Sequence, residues 1–401
     1  MIHLATTKEC TGCQACVNAC PKSAITMKED SLGFLYPAID SQKCISCGLC
    51  RSHCPALNEK KLSDGEPDAY AFLSNTDRKK SSSGGAFSMF AKYVLSKGGV
   101  VFGACMDEHL RVFHTYVECE EHLDLLRGSK YVQSFIGDSY KKVKSFLKQE
   151  RVVLFSGTPC QIAGLYAYLG GARYEGRLIT LDLVCHGTPN QRVFDSYCKK
   201  LTIEHKKEKI SGFLFRKLDS WSLISSVKFD KEKKWLTLEG PDNIYMQMFF
   251  KGWTYRESCL SCSYANINRP GTVTIADFWG IGRHGNPFKK NIAAGVSLVL
   301  DNQKRIASLL SDLSEYGYIE KRTLSEALTE NQNLTSHVEQ SDMRESVVLD
   351  MLNESMSLKA IASKFNMSSQ LGKGLVLIKK FVIYFGLYNI YKTINYKLGR
   401  R

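Results

Sequence analysis

The sequence predicts a mixed α/β fold of the α+β type, built from two or three domains. Its length of 401 residues corresponds to roughly 2.7 domains of average size. Residues 1–57 are rich in cysteine and hold only short apolar runs, and the polar residues 58–68 have the composition of a linker. From Ala69 onward, strand patterns alternate with helical patterns, which is typical of a central mixed sheet.

The central region begins with a predicted strand at Ala69–Ser74 and a predicted helix at Ala86–Lys97, in which Phe87, Phe90 and Val94 recur at helical spacing. Further strands are predicted at Val100–Ala104, Val152–Phe155, Leu178–Val184, Thr272–Asp277 and Val296–Leu300. Two later helices are predicted at Ser341–Asn353 and Ser357–Phe365. We therefore divide the chain after the linker into regions 69–150 and 151–330 and a helical basic tail at 331–401.

The composition excludes several classes of protein. Hydrophobic residues make up 44% and charged residues 23%, which is ordinary for a globular protein and excludes disorder, collagen and coiled coil as the main state. The first twenty residues hold four cysteines and lack the apolar core of a signal peptide, and no apolar run is long enough to span a membrane. We therefore expect a cytoplasmic protein whose cysteines are reduced and available as metal ligands.

The positive charge is concentrated at the C-terminal end. The net charge is 54 − 40 = +14, and residues 364–401 supply +8 of it without a single acidic residue. Nucleic-acid binding by the whole protein is therefore not expected. Residues 371–398 mix basic and apolar residues, which leaves two alternatives open: contact with an anionic membrane at its inner face, or a final helix packed on the body with solvated lysines.

A duplicated cysteine motif occupies the first domain. The spacing C-x2-C-x2-C-x3-C-P occurs twice, offset by 34 residues, and it is typical of bacterial two-cluster ferredoxins, in which the fourth cysteine crosses to the other cluster. This spacing assigns one [4Fe–4S] cluster to Cys10, Cys13, Cys16 and Cys54, and a second to Cys44, Cys47, Cys50 and Cys20. Zinc is the alternative metal, but a zinc site gives no reason for two cysteine triplets that are each followed by Cys-Pro.

Six blocks in the rest of the chain resemble the beta-subunit family of coenzyme F-420 hydrogenases and dehydrogenases, whose members are iron–sulfur flavoproteins. They are, in order, SSGGAF at 82–87, RGSKYVQS at 127–134, SGTPCQ at 156–161, DLVCHGTP at 182–189, the pair Cys259 and Cys262, and DFWG at 277–280. The resemblance implies a flavin-binding region at 69–150, a family C-terminal domain at 151–330, and bound FAD.

The residues of these blocks have chemistry that suits a flavin. Ser83, Gly84 and Gly85 lie where a helix is predicted to begin, so they fit a phosphate, although an ordinary serine cap is the alternative. Gly128, Ser129 and Lys130 offer a flexible loop, a hydroxyl and a cation, and Lys130 is a candidate catalytic residue that would stabilise a reduced flavin. The resemblance adds Tyr131, Thr158 and Asp277 as cofactor-binding candidates.

A third set of cysteines is a further candidate ligand set. Cys160 and Cys185 each follow a predicted strand, and Cys259 and Cys262 form a C-x2-C pair. Four thiolates suffice for a third [4Fe–4S] cluster, which the resemblance implies, whereas buried core cysteines and a zinc site are the alternatives. His186, next to Cys185, is a candidate proton donor because its unperturbed pKa lies near neutrality.

Taken together, these features predict an iron–sulfur flavoprotein oxidoreductase. A ferredoxin or another one-electron redox protein would be its partner, and a small organic molecule or coenzyme F-420 its substrate. The family resemblance also raises a link to surface-polysaccharide biosynthesis, by analogy alone. The alternative is an electron-transfer subunit with no chemistry of its own, and an oligomer or a larger complex is expected in either case.

Overall fold

An eight-stranded mixed sheet forms the centre of the protein, together with one two-stranded and one three-stranded antiparallel sheet. The computed structural model describes residues 3–58, 65–170, 174, 176–218, 221–283 and 286–367. The strands, in chain order, are β1 (Ile25–Glu29), β2 (Leu35–Ile39), β3 (Asp68–Ser74), β4 (Val100–Met106), β5 (Val112–Val117), β6 (Val153–Gly157), β7 (Leu178–Leu183), β8 (Ile210–Leu214), β9 (Ser226–Phe229), β10 (Leu236–Thr237), β11 (Val273–Asp277), β12 (Ser297–Asp301) and β13 (Gly317–Arg322).

The α-helices of the described residues are short to medium in length. They are α1 (Ala15–Ala19), α2 (Leu49–Ser52), α3 (Ala86–Ser96), α4 (Ser139–Lys148), α5 (Pro159–Leu169), α6 (Gln191–Glu204), α7 (Ile244–Phe250), α8 (Ile306–Ser314), α9 (Leu324–Thr329), α10 (Met343–Leu352) and α11 (Leu358–Lys364). Five 3₁₀ turns join them, at Arg78–Lys80, Glu120–Leu125, Gly240–Asn243, Glu257–Ser261 and Gln332–Leu334. Within the part of the chain described above, none of the helices has the length and apolarity needed to cross a bilayer.

The large sheet combines a parallel centre with antiparallel edges. Its strand order is β13-β3-β12-β11-β7-β6-β4-β5. Strands β4, β6, β7 and β11 are mutually parallel, and the other neighbours pair antiparallel. The mixed α/β fold class is therefore confirmed. Because the four parallel strands end at one edge of the sheet, the residues that follow them gather there, as is usual for ligand sites in such sheets.

Both faces of the large sheet are covered by helices, which explains the nearly continuous apolar runs in its strands. Successive side chains of a strand point to opposite faces. On β6, Leu154 joins the apolar cluster that contains α3 and α8, whereas Val153 and Phe155 join the one formed with α4 and α5. On β3, Phe72 belongs to the first of these clusters and Leu73 packs with α9.

A second core forms around the three-stranded sheet and includes the two helices predicted before the basic tail. Helices α6, α7, α10 and α11 pack there, with Phe194, Val347 and Ile361 fully buried. The described part of the predicted tail, 331–367, is therefore integrated into the body, because the apolar faces of its helices are covered by α6. Residues 368–401, which include nearly all of the basic tail and its predicted membrane contact, lie outside the described residues.

The N-terminal module packs on helix α5 of the central domain. Its two-stranded sheet, β1 and β2, was not predicted from the sequence. Gln14 accepts a hydrogen bond from the backbone N–H of Gly137 at 3.1 Å, and Asn18 donates to the Gly137 carbonyl at 2.9 Å. A Cβ atom on Gly164 of α5 would lie 3.0 Å from the Sγ atom of Cys13. The module therefore places its first cysteine loop directly against the central domain.

Candidate functional site

The first cysteine cavity lies inside the N-terminal module. Its wall contains the four cysteines that the spacing assigns to one cluster: Cys10, Cys13, Cys16 and Cys54. Gly12 and Gln14 adopt left-handed conformations, with φ of 69° and 60°, and so turn the loop around the cavity. Burial raises the pKa of the Cys16 thiol to about 12, with the neighbouring Cys10 and Cys54 adding to this effect.

The second cysteine cavity lies nearer the surface. Its wall contains the other four: Cys20, Cys44, Cys47 and Cys50. The side chain of Cys47 is exposed, and so are the neighbouring Ile45 and Leu49. Burial raises the pKa of the Cys50 thiol, to which Cys20 and Cys44 contribute. Each cavity thus joins three thiols of one motif copy with the last thiol of the other copy.

Both cavities fit an iron–sulfur cluster in the chemistry of their donors. Each has four thiols on its wall, and the pKa of the Cys13 thiol is raised well above its usual value by burial, so a thiolate there needs a cationic partner such as iron. Among the described residues, no three His, Cys, Asp or Glu side chains are arranged to hold a single metal ion.

The third set of cysteines meets at the carboxyl edge of the parallel strands. Cys160 follows β6 at the start of α5, Cys185 follows β7, and Cys259 and Cys262 lie at the 3₁₀ turn Glu257–Ser261. Burial raises the pKa of the Cys185 thiol well above its usual value, and the other three thiols add to it. The four thiols are therefore mutual neighbours, although they come from three separate segments.

A buried ion pair fixes the loop that carries two of these cysteines. Arg269 donates to the Oδ1 atom of Asp182 at 2.9 and 3.1 Å, and to the backbone carbonyls of Tyr264 and Leu183, both at 2.6 Å. The second carboxylate oxygen accepts from the Gly271 N–H at 2.8 Å. Because Asp182 lies on β7, this pair ties the Cys259–Cys262 loop to the strand that leads to Cys185.

A cleft of about 300 Å³ opens beside the third cysteine set. This volume is in the range of small-molecule and cofactor sites. The cleft lies at the carboxyl ends of β6, β7 and β11. Every cofactor-binding candidate lines it except Gly84; these are Ser83, Gly85, Gly128, Ser129, Lys130, Tyr131, Thr158 and Asp277. Cys185 and His186 line it as well, so the third cysteine set borders the cleft directly.

One end of the cleft has the features expected of a phosphate site. Gly85 caps the N-terminus of the eleven-residue helix α3, with φ of 95°. Gly84 packs so tightly that an added Cβ would lie 2.1 Å from the Phe72 carbonyl oxygen, so it shapes the turn rather than the wall. The Ser82 hydroxyl accepts a hydrogen bond from the Ser129 N–H at 3.1 Å, which links the block at 82–87 to the block at 127–134.

Lys130 lines this end of the cleft, and backbone carbonyl groups accept hydrogen bonds from its ammonium group. Its Nζ atom donates to the Arg127 carbonyl at 2.7 Å, and Arg127 is anchored in turn by the Asp77 carboxylate at 2.6 Å. Burial lowers the pKa of Lys130 to about 8. The next residue, Tyr131, has its ring centroid 4.6 Å from that of Phe249. Lys130 is therefore a cation near neutral pH that titrates just above it.

Asp277 is engaged in a buried network at the other end. Its carboxylate accepts from Arg216 at 2.6 Å and from the Trp221 indole at 2.6 Å. Trp221 stacks on Trp279 with ring centroids 4.7 Å apart. Asp277 thus holds Arg216 and Trp221 in place at the rim of the cleft, and its carboxylate has two strong partners within the chain.

His186 lines the cleft next to Cys185. Desolvation lowers its pKa, with Asp277 acting in the opposite direction. Thr158 caps α5 through a reciprocal pair with Gln161, and its hydroxyl lies 3.1 Å from the Cys160 Sγ atom. Thr158 thus positions a cysteine of the third set as well as lining the cleft.

Three functional residues were missed from the sequence. His114 is fully enclosed in the cleft wall, where its Nε2 atom lies 2.9 Å from the Ser156 carbonyl oxygen, and burial lowers its pKa to about 4. Arg216 and Arg256 are buried cations beside the cysteines and the cleft. Arg256 lies three residues before Cys259 in the pattern R-x2-C-x2-C, which is a weak signal. Nothing in the sequence singles out His114 or Arg216.

Comparisons with known proteins agree with this geometry. Residues 150–327 match the family model of the C terminus of the coenzyme F420 hydrogenase/dehydrogenase beta subunit, and residues 9–58 match the 4Fe-4S dicluster domain. The ketoisovalerate oxidoreductase subunit VorC of Methanothermobacter marburgensis is 31% identical over 67 residues, which are 15% of this chain and 85% of that subunit.

Two further likenesses are more remote or less informative. An uncharacterized protein in the rpl9-rpl11 intergenic region of Porphyra purpurea is 39% identical over 57 residues, which are 14% of this chain and 76% of that protein. A chain of the F420-reducing [NiFe] hydrogenase complex from Methanosarcina barkeri aligns with a TM-score of 0.44 and 14% identity, covering 72% of this chain and 94% of that chain.

Proposed function

We propose that the protein is an iron–sulfur flavoprotein oxidoreductase, because residues 150–327 belong to the coenzyme F420 hydrogenase/dehydrogenase beta-subunit family and residues 9–58 to the 4Fe-4S dicluster domain. When bound, the clusters supply one-electron transfer and FAD converts between one-electron and two-electron chemistry. The substrate class is a small organic molecule or coenzyme F-420, and the redox partner is a ferredoxin or a similar one-electron carrier.

The continuous series of cysteine sets is the observation that carries this proposal. Burial is the main cause of the raised pKa of Cys16, and Cys50 of the second set makes a smaller contribution to it. The two cavities of the N-terminal module are therefore neighbours. Cys160, from the third set, contributes in the same way to the pKa of Cys13. Cys185 completes the series, because it lines the cleft. Thiols of the first and third sets therefore lie between the exposed second set and the cleft.

The walls of the cleft support FAD as the occupant. The N-terminus of α3 offers backbone N–H donors for a phosphate, and the half-buried Lys130 offers a positive charge. Gly128 has φ of 78° and nothing within 4 Å of an added Cβ, so its backbone faces open space in the cleft. We assign Ser83, Gly85, Gly128, Ser129, Lys130, Tyr131, Thr158 and Asp277 to cofactor binding, and Gly84 to shaping the turn.

The substrate end of the cleft is assigned to His186 and the Arg216–Asp277 pair. His186 borders the cleft beside Cys185, so it can orient a polar group of the substrate through a hydrogen bond. Asp277 holds the Arg216 guanidinium in place and offsets its charge. The cleft therefore presents fixed hydrogen-bonding groups rather than a net charge here, which suits a substrate with a carbonyl group.

The rival function is that of an electron-transfer subunit without a flavin of its own. The small relative named above is described as a subunit of an oxidoreductase, which favours this rival. In that case the cleft would be a docking surface for a catalytic partner. The content of flavin decides between the two.

The test is the content of iron, acid-labile sulfide and FAD in anaerobically purified protein. We expect roughly twelve irons and one FAD per chain in the unaltered protein, and roughly eight irons in Cys185→Ala. Cys198→Ala is the matched control, because Cys198 is a buried cysteine of the second core that belongs to none of the three cysteine sets. About eight irons without FAD, even after reconstitution, would refute the flavoprotein and leave the electron-transfer subunit.

A further inference from the structure

Arg256 is a fully buried arginine that joins the N-terminal module to the central domain. Its side chain has no solvent exposure. Its guanidinium donates to the backbone carbonyl of Cys10 at 3.2 Å, to that of Leu35 at 2.7 Å, and to the Gln133 side chain at 3.1 Å. One side chain therefore holds together the first cysteine loop, strand β2 and the block at 127–134, which borders the cleft.

The positive charge of Arg256 is not neutralised by a carboxylate. Among the described residues, no acidic side chain forms an ion pair with it, whereas the other large buried arginine, Arg269, is paired with Asp182. Instead, the guanidinium lies 4.6 Å from the ring centroid of Tyr36 and 5.6 Å from that of Phe34. Aromatic faces and carbonyl dipoles stabilise a cation in a dry site, but they leave its net charge in place.

This charge lies between two of the cysteine sets. Arg256 contacts the backbone of Cys10 and is followed, three residues later, by Cys259 of the third set. Ser258 donates to the same Cys10 carbonyl at 3.2 Å, so the turn that carries Cys259 is attached to the first set. Burial raises the pKa of the Cys10, Cys160 and Cys259 thiols, and Arg256 acts in the opposite direction on all three.

We propose that Arg256 is a positioning residue that clamps the first cysteine set against the third and sets the electrostatic potential at both. This inference rests on the proposed iron–sulfur function. The clamp keeps the two sets at a fixed separation, and the unneutralised charge favours the reduced state of each cluster that these cysteines would hold. The reduction potentials of both sets are therefore more positive than they would be without Arg256.

The Arg256 cation raises the reduction potentials because it attracts the negative charge that reduction adds. One-electron reduction, here by dithionite, adds one negative charge at a cysteine set and makes or breaks no bond. A nearby cation stabilises the more negative state, and a dry site screens this attraction weakly. Removal of the cation must therefore make reduction harder. The second cysteine set is farther from Arg256 in the fold and is expected to respond least.

The test compares Arg256→Met, Arg256→Gln and Arg256→Lys with Arg192→Met in reconstituted, full-length protein. Arg192 is the matched control, because it also joins the two modules, through Glu29 at 3.5 Å, but on the surface. Midpoint potentials are measured by dithionite titration followed by electron paramagnetic resonance. Hydrogen exchange of residues 10–36 is measured separately in cluster-free protein, so it reads the clamp even if the proposed function fails.

We expect midpoint potentials to shift to more negative values in Arg256→Met and Arg256→Gln, and to stay unchanged in Arg192→Met. Arg256→Lys should keep the potentials but exchange faster at residues 10–36, because a lysine lacks the planar, five-donor guanidinium that reaches Cys10, Leu35 and Gln133 together. If the neutral variants fail to retain iron while Arg256→Lys retains it, the charge is still required. Unchanged potentials in neutral variants with full iron content would overturn the proposal, and so would iron loss in Arg256→Lys together with both neutral variants.

Discussion

Replacing Arg269 with methionine leaves a buried carboxylate without its partner. The side chains of Arg269 and Asp182 are 1% and 0% exposed, so water cannot replace the lost contacts. The substitution removes two hydrogen bonds to Asp182 and two to backbone carbonyls, and leaves the carboxylate with the Gly271 N–H alone. Breaking a buried pair from one side costs about 3–5 kcal/mol, and we expect a loss of unfolding free energy in this range.

The iron content should fall together with the free energy of unfolding. Because the Arg269 loop carries Cys259 and Cys262, the iron content should fall by roughly four per chain in Arg269→Met. Arg192→Met removes a half-exposed pair with Glu29 and should change the stability by about 0–1 kcal/mol. The assay is anaerobic urea unfolding combined with iron analysis.

A double variant separates the destabilisation caused by the unpaired charge from that caused by the lost side-chain packing. Asp182→Leu combined with Arg269→Met replaces both charges by apolar groups, and it should recover a large part of the stability, since such replacements are often neutral. A double variant as unstable as Arg269→Met, or a single variant as stable as the unaltered protein, would refute the reasoning that the buried charge dominates.

Three further predictions concern the cleft and the surface. Gly84→Ala should lower the unfolding free energy by about 1–3 kcal/mol and abolish FAD binding, as urea unfolding and flavin release would show. Gly103→Ala, whose Cβ meets Leu126 at an ordinary 3.5 Å, is the control for stability and should leave the unfolding free energy unchanged. Because burial lowers the Lys130 pKa to about 8, FAD affinity should fall as the pH rises through that value, and the dependence should vanish in Lys130→Met; an unchanged dependence would contradict it. Ile45→Asp should slow reduction by a ferredoxin-like donor, unlike Ile203→Asp, which has similar exposure, 63% against 57%, in stopped-flow traces; equal slowing would contradict it.

The local features of the sequence predicted much of the structure. The spacing of the cysteine motifs predicted which thiols share a cavity wall, because each motif is a short loop. The family resemblance and the dicluster domain are both confirmed. The strands of the parallel centre were predicted because both faces of these strands are buried, so they form apolar runs. The start of α3 at Ala86 was predicted because Gly84 and Gly85 precede it.

Features that depend on distant partners were not predictable. Arg256 contacts the Cys10 carbonyl across 246 positions of sequence, and Arg216 meets Asp277 across 61. No spacing rule connects such residues, because the sheet topology brings them together. The strands β8 and β9 were missed because the segments around them are rich in lysine. The two helices before the basic tail were predicted, but their packing on α6 was not, because α6 lies far away in the chain.

The most direct test of the proposed function is whether a ferredoxin-like donor reduces bound FAD by way of the third cysteine set. Reduced ferredoxin would be mixed anaerobically with the reconstituted protein, and FAD bleaching would be followed in the unaltered chain and in Cys185→Ala. We predict rapid bleaching in the unaltered chain and a loss of at least about tenfold in Cys185→Ala, provided that it retains FAD and roughly eight irons. Equal bleaching rates in the two proteins, or no bleaching in the unaltered chain, would contradict the proposal.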